Sequence, residues 1–268
     1  MSSMEISNIT KETLKNMFSK GKRFDDRALL DFREIEISHN VSNKAEGSVR
    51  VKIGKTEVVV GIKLDVGEPF SDSPEKGNLI CTGELLPLAS PRFESGPPGF
   101  KAIELSRLID RAIRGSGMID FSKLVIKKGE KVWNIYIDIY PINDDGNLID
   151  AATMGAVIAL KHAKMPGLTD EEKADYSNKK EGLPISKETF PLSFSFFKLG
   201  STIILDPTRE EEEASESRIT FGISKLGKQY MINSCQKADS CTFTQKELEE
   251  IMEIIPKKFD EINKKLRL

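Results

Sequence analysis

Arg107, Arg111 and Arg114 lie in one short stretch whose spacing is helical. At about 100° per residue they fall within about 60° of one another, while Leu105, Leu108, Ile109, Ala112 and Ile113 take the opposite side. One face can pack and the other is a row of guanidiniums. A planar guanidinium can grip phosphate oxygens through paired hydrogen bonds, so the chemistry open to such a row is phosphate binding. Charged rows are more often simply the solvated face of a helix, and Asp110 is placed to neutralise Arg107 or Arg114.

A second set of reactive side chains follows the apolar run 201–205, where Asp206-Pro207-Thr208-Arg209-Glu210-Glu211-Glu212-Glu213 begins. Carboxylates at a strand end can hold Mg²⁺ or act as general acid or base, and Asp206 with Glu212 could do either; acidic runs after a strand are also common as solvated turns. Asp150 opens an Ala-rich segment and reads as an N-cap, which stabilises a helix by about 1 kcal/mol, although an anion site at the same helix end is possible in principle. His39 and His162 are isolated and carry no role. Trp133 lies within a strand and reads as core rather than a platform for bases. Cys81, Cys235 and Cys241 are odd in number and lack metal-ligand spacing, which excludes a disulfide scaffold and a zinc finger.

The elements that must position these groups follow from periodicity. A helix is expected to open at Thr10, bury Leu14, Met17 and Phe18, and end at Gly21. Residues 34–38, 48–53 and 57–66 read as an antiparallel meander with Gly54-Lys55 at a hairpin turn. A Pro/Gly/Ser loop, 87–99, leads into the arginine-bearing helix, 101–114, closed by Gly115. Strands over 123–127 and 132–140 and a turn at Asp144-Asp145-Gly146-Asn147 precede the Ala-rich helix 150–162. Residues 165–189 are polar and read as a connector. Beyond it, 194–205, 218–224 and 229–233 read as strands, and Thr244-Gln245-Lys246-Glu247 is a capping box for a last helix that Pro256 should kink or interrupt. Lys52-Ile53-Gly54-Lys55-Thr56 and Lys198-Leu199-Gly200-Ser201-Thr202 match as turns, either by duplication or because two hairpins use the same turn chemistry.

The chain has 268 residues, which against a soft prior of ~150 per domain fits one large domain or two intimate halves. It is 38% hydrophobic and 31% charged with mean hydropathy −0.33, the balance of a globular chain. No run approaches the ~18 apolar residues of a spanning helix, and the amino terminus is polar, so a cytoplasmic protein is expected. With a net charge of −2 and a pI of about 5.9, any nucleic-acid binding must come from a local basic patch.

Several stretches resemble a known family. Gly21-Lys22-Arg23-Phe24-Asp25-Asp26-Arg27, then Asp31-Phe32-Arg33, is similar to the opening of RNase-PH-type proteins, with Asp26 where glycine is usual. Glu46-Gly47-Ser48, Gly83-Glu84-Leu85-Leu86-Pro87-Leu88-Ala89, Gly96-Pro97-Pro98, the 103–114 helix, Val132-Trp133 through Asp138 to Gly146-Asn147-Leu148-Ile149-Asp150-Ala151-Ala152, and Asp206-Pro207-Thr208 resemble the non-catalytic ring subunit of the archaeal exosome. The resemblance covers nearly the whole chain.

It implies an α+β RNase PH fold (ribosomal protein S5 domain 2-like) of two βαβ-type halves with mixed sheets and packed helices. The division it implies is an N-terminal helix and arm over 1–30, a first half over 31–164, a connector over 165–189 and a second half over 190–268. It further implies three copies alternating with three of a catalytic RNase-PH-type paralogue, a trimer of heterodimers. That ring shortens single-stranded RNA from its 3′ end by phosphorolysis, beneath cap subunits carrying S1 and KH or zinc-ribbon modules.

Active members carry Asp-Gly-Gly-Thr-Arg where this chain has Asp150-Ala151-Ala152-Thr153-Met154. Met154 offers neither charge nor donor, so the phosphate would lose an interaction worth on the order of 1.5–3 kcal/mol. Asp206 matches the first acid of the active pair, and Glu212 falls where a second aspartate is expected. The resemblance therefore implies a chain inactive by itself, with Asp150, Met154, Asp206 and Glu212 as vestigial positions, no cofactor of its own, and phosphate and magnesium at the paralogue. Arg107, Arg111 and Arg114 become RNA-binding candidates, with an intersubunit contact equally open to Arg107; Arg92 and Lys101 are weaker candidates for either task. Two alternatives stay open: an active phosphate-dependent exoribonuclease using Asp206 and Glu212 with magnesium, and a ring spacer whose arginines pair with neighbours.

Overall fold

The computed structural model describes residues 6–186 and 188–266, without the side chains of 179–181. The first sheet is built from β1 (Ile35–His39), β2 (Gly47–Ile53), β3 (Thr56–Gly67), β4 (Asn78–Gly83), β5 (Val125–Lys127) and β6 (Lys131–Asn143). Its order is β1-β2-β3-β6-β4, with β5 pairing β6. Alternation decides its inner face: Val49, Val51 and Ile53, then Val58, Val60, Ile62 and Leu64, then Trp133, Ile135, Ile137 and Ile139 are all buried. β4 and β6 run parallel, joined across the arginine helix α2 (Phe100–Gly115) as a βαβ unit. The sequence reading missed β4, whose short run lacks a clear alternation.

The Ala-rich helix α3 (Leu148–His162) passes between two sheets, which is why its residues from Ile149 to Leu160 are all buried and none is a basic side chain. Close approach sets its composition: a side-chain carbon added to Gly155 would sit 2.7 Å from Val60 Cγ2. The second sheet contains β9 (Pro191–Leu199), β10 (Thr202–Leu205), β11 (Ser217–Leu226) and β12 (Gln229–Ala238) in the order β10-β9-β11-β12, all antiparallel. The run expected as one strand over 194–205 is thus two, turned at Gly200, where φ is +61°. A short helix α4 (Arg209–Ala214) joins β10 to β11, which flank β9 and run in the same direction.

Helix α1 (Asn8–Phe18) starts earlier than expected, because Ser7 rather than Thr10 is the cap and accepts the Thr10 N–H at 3.1 Å. It closes a small core of Leu14, Phe18, Phe197, Leu199, Ile204 and Ala214. The connector is not featureless: it carries the hairpin β7 (Lys164–Leu168) and β8 (Ala174–Gly182). Helix α5 (Gln245–Leu266) has the expected capping box, with Thr244 and Glu247 bonded reciprocally, and runs through Pro256 without interruption. Among the described residues no helix is long and apolar enough to cross a membrane.

Candidate functional site

Helix α2 separates its faces as periodicity dictates: Leu105, Leu108, Ile109, Ala112 and Ile113 are buried, and Arg107, Arg111 and Arg114 are exposed. The three guanidiniums are not equivalent. Arg114 is held by Asp110 one turn earlier, at 2.7 and 3.2 Å, donates to Leu79 O at 3.1 Å, and lies over the Phe121 ring. Arg111 donates to the neutral Gln236 amide oxygen at 2.6 Å. Arg107 has no hydrogen bond or ion pair among the described residues. The row's free charge is therefore at Arg107 and Arg111.

Asp206 ends β10 in the left-handed region, φ +46°, which turns its side chain back into the protein. It is fully buried and saturated. Oδ1 accepts from Arg33 Nη2 at 2.7 Å and Asn147 Nδ2 at 2.9 Å; Oδ2 accepts from the Arg33 N–H at 2.8 Å, Arg33 Nε at 2.9 Å and Arg27 Nη1 at 3.1 Å. A carboxylate has roughly four lone-pair sites, so these five donors leave none for a metal or a substrate proton. Burial works against the Arg33 charge, but the hydrogen bonds and charge of Asp206 outweigh it and raise its pKa. Beside this pair, Arg23 donates to Leu205 O at 2.9 Å, Asp206 O at 2.8 Å and Glu211 Oε1 at 2.9 Å, and pairs a second time with Glu211 Oε2. The segment before β1 is thereby clasped to the β10–α4 corner. Sequence reasoning drew Arg23, Arg27 and Arg33 from resemblance alone and did not connect them with Asp206; partners some 170 to 190 residues apart carry no local signal.

Glu212 lies on the first turn of α4 and accepts the Asn147 N–H at 2.7 Å. Asn147 thus ties Asp206 through its side chain and Glu212 through its backbone. Burial pushes the Glu212 carboxyl up, with Asp144 adding to the rise, while the Asn147 N–H, Arg92 and Arg218 restrain it. Glu212 borders a cleft of about 80 Å³ walled by Arg92, Lys101, Glu104, Asp144 and Arg218. Its charges are paired internally, Arg92 with Asp144 at 2.5 Å and Glu213 at 2.9 Å, and Arg218 with Glu104 at 2.5 Å. Lys101 is exposed at its rim.

Asp150 is not the N-cap. Asn147, at φ 59° and ψ 38°, occupies that position, α3 begins at Leu148, and Asp150 lies in the first turn facing β9. Asp150 is wholly buried and accepts the Ser195 N–H at 3.1 Å and the Ser195 hydroxyl at 2.8 Å; burial lifts its carboxyl to about 7. Asp150 is thus sealed away from ligands, whereas the start of α3 at Asn147 and Leu148 borders the cleft beside Arg92 and Glu212. Met154, one turn on, is likewise fully buried within the main core, with Ala151 and Ala152 beside it. Neither Mg²⁺ at Asp206 nor phosphate at Met154 fits the residues present.

Residues 31–166 match the 3′ exoribonuclease family, domain 1, and residues 189–254 match its domain 2. The exosome complex component Rrp42 of Thermococcus onnurineus is 45% identical over 256 residues, covering 94% of this chain and 91% of its own. That of Pyrococcus furiosus is 41% identical over 260 residues, covering 97% and 93%. Among solved structures, a chain of the Archaeoglobus fulgidus exosome with RNA bound to the active site superimposes with a TM-score of 0.84 at 37% identity, covering 95% of this chain and 97% of that one. A chain of an archaeal exosome core gives a TM-score of 0.84 at 33% identity, covering 97% of each.

Proposed function

Because the chain belongs to the RNase PH, or 3′ exoribonuclease, family, we propose that it is a ring subunit of an archaeal-type exosome that takes no part in bond cleavage itself. It alternates with a catalytic RNase-PH-type paralogue in a trimer of heterodimers, holds that neighbour in its working arrangement, and lends arginines to the path of single-stranded RNA. The ring works in the cytoplasm beneath S1/KH or zinc-ribbon cap subunits. Phosphate and magnesium act at the paralogue.

The observation that carries the non-catalytic reading is the state of Asp206. A general base or metal ligand needs a free lone pair within reach of substrate, and a general acid needs an oxygen free to carry a proton to it; every lone pair of Asp206 is taken by Arg27, Arg33 and Asn147 inside the protein. Met154 strengthens it, since a thioether closed in the core cannot stand in for a phosphate-binding guanidinium. The same occupancy disfavours an enzyme using Asp206 and Glu212 with magnesium. For the arginines, what supports RNA contact is that Arg107 and Arg111 keep their charge unspent on an exposed helix face.

The deciding experiment measures nucleoside diphosphate release from oligo(A) with phosphate and magnesium by the purified chain, by its paralogue and by the mixture. The expected result is silence from this chain and a mixture well above the paralogue alone. Diphosphate release by this chain alone, abolished by Asp206→Ala in a variant that still folds, would overturn the reading.

A further inference from the structure

The exposed stripe of α2 begins with an aromatic ring. Phe100, the first residue of the helix, is 79% exposed, with Ile103 at 50% beside it, and its ring belongs to neither core cluster. At about 100° and 1.5 Å per residue, Phe100 lies within about 20° of both Arg107 and Arg111 around the axis, roughly 10 Å before the first, which is itself roughly 6 Å before the second. That second spacing is comparable to the step between successive phosphates of an extended single strand.

The two acids near the stripe are already neutralised. Glu104 is paired with Arg218 at 2.5 Å and Asp110 with Arg114 at 2.7 Å. Arg107 has no partner among the described residues and Arg111 meets only a neutral amide, so the line from Phe100 presents one aromatic face followed by two uncompensated cations. Space above the ring is open. A side-chain carbon added at Gly96 or Gly99 would meet nothing within 4 Å, and the loop and helix enclose a cleft of about 600 Å³ with Leu86, Arg92, Phe93 and Phe100 in its walls.

We propose that Phe100 is a stacking platform for one base of a single-stranded RNA whose following phosphates lie on Arg107 and Arg111. Every base has a π-face, so such a platform grips without reading sequence, and the arginines supply the matching charge-dependent grip on the backbone. The proposal rests on the RNA-binding role argued above and adds to it the part of the nucleotide that each end of the stripe holds. Phe100 is here a binding residue, and no chemistry is asked of it.

The test uses the full chain and two fluorescein-labelled probes of equal length, oligo(A) and an abasic oligoribonucleotide, read by anisotropy across a salt series. Phe100→Ala is expected to weaken oligo(A) binding about ten- to a hundredfold with an unchanged salt slope, and to leave the abasic probe unaffected. Arg107→Ala is expected to weaken both probes and to make the slope shallower by about 0.7. Phe100→Trp should retain oligo(A) affinity, and its new indole, added to a chain whose one tryptophan is buried, should be quenched by oligo(A) but not by the abasic probe. If Arg107→Ala behaves as stated while Phe100→Ala changes neither probe or both alike, the stacking role is wrong and the RNA role of the arginines stands. If Arg107→Ala moves neither probe, the RNA role falls and the stacking proposal with it. A Phe100→Ala variant that changes the assembly of the chain with its paralogue but not base-dependent binding would assign the ring to a protein interface and overturn the proposal.

Discussion

Arg33 grips Asp206 with a two-pronged fork, Nη2 to Oδ1 at 2.7 Å and Nε to Oδ2 at 2.9 Å, and adds its own backbone N–H at 2.8 Å. Both side chains are buried, so their charges are compensated by each other rather than by water. Removing one partner of such a pair leaves the other buried and uncompensated, which costs about 3–5 kcal/mol. Asp206→Ala is therefore expected to lower the unfolding free energy read from urea denaturation by that amount with little change in slope, and Arg33→Ala, which leaves Arg27 on Asp206, by less. A shift below about 0.5 kcal/mol, typical of an exposed site, would contradict the clasp.

Restoring the arginine of the active pattern at Met154 is expected to damage the protein rather than activate it. The position is fully buried in the main core, so Met154→Arg forces a guanidinium into apolar packing. Loss of stability on the order of 3 kcal/mol or more, read by thermal unfolding, should accompany the absence of diphosphate release. Met154→Leu, close in volume, should cost less than about 1.5 kcal/mol. A Met154→Arg chain as stable as the parent would mean that the side chain finds a route to solvent or to an acid.

Asp150 gives the pH dependence a sign. Its folded pKa of about 7 lies above the ~3.9 of an unfolded aspartate, so between these limits the folded chain holds a proton that the unfolded chain has released. Its contribution to stability is full below about pH 4 and is lost as pH rises towards about 7, a fall on the order of 4 kcal/mol at most. Asp150→Asn can still accept the Ser195 N–H and can donate to the Ser195 hydroxyl, so it should keep the fold and remove this part of the slope. Urea midpoints of both proteins at pH 5 and 7 check it: parallel curves would show that Asp150 does not carry the proton.

Helix α2 was legible because its signal is local. Five apolar residues and three arginines divide by 3.6-residue periodicity alone, and each lies on the face the pattern assigned. The identity of Asp206 as a strand-end acid was equally plain; its chemistry was not, because that is decided by Arg27 and Arg33, far away in the chain. Asp150 misled for a related reason. An aspartate at the start of an Ala-rich run satisfies the composition of a cap, and only the packing of β9 against α3 shows that its oxygens point to Ser195 instead. The connector hairpin was hidden by charge, since β7 and β8 form a two-stranded sheet of their own whose strands contain Lys, Asp and Asn.

The pairing of Arg114 with Asp110 sets how much charge α2 offers to phosphate. An arginine already bonded to an acid one turn away releases few counterions when RNA arrives, so Arg114→Ala is expected to change the salt slope of RNA binding by much less than the ~0.7 of a full phosphate contact. Asp110→Asn keeps the side chain's shape and removes its charge. The freed Arg114 remains anchored by Leu79 O at one nitrogen and has its remaining donors open. RNA binding by the Asp110→Asn chain should therefore be tighter at low salt with a slope steeper by up to about 0.7, an effect that Arg114→Ala in the same background should cancel. Anisotropy with oligo(A) over a salt series measures all of these, and a slope indifferent to Asp110 would place Arg114 outside the RNA path.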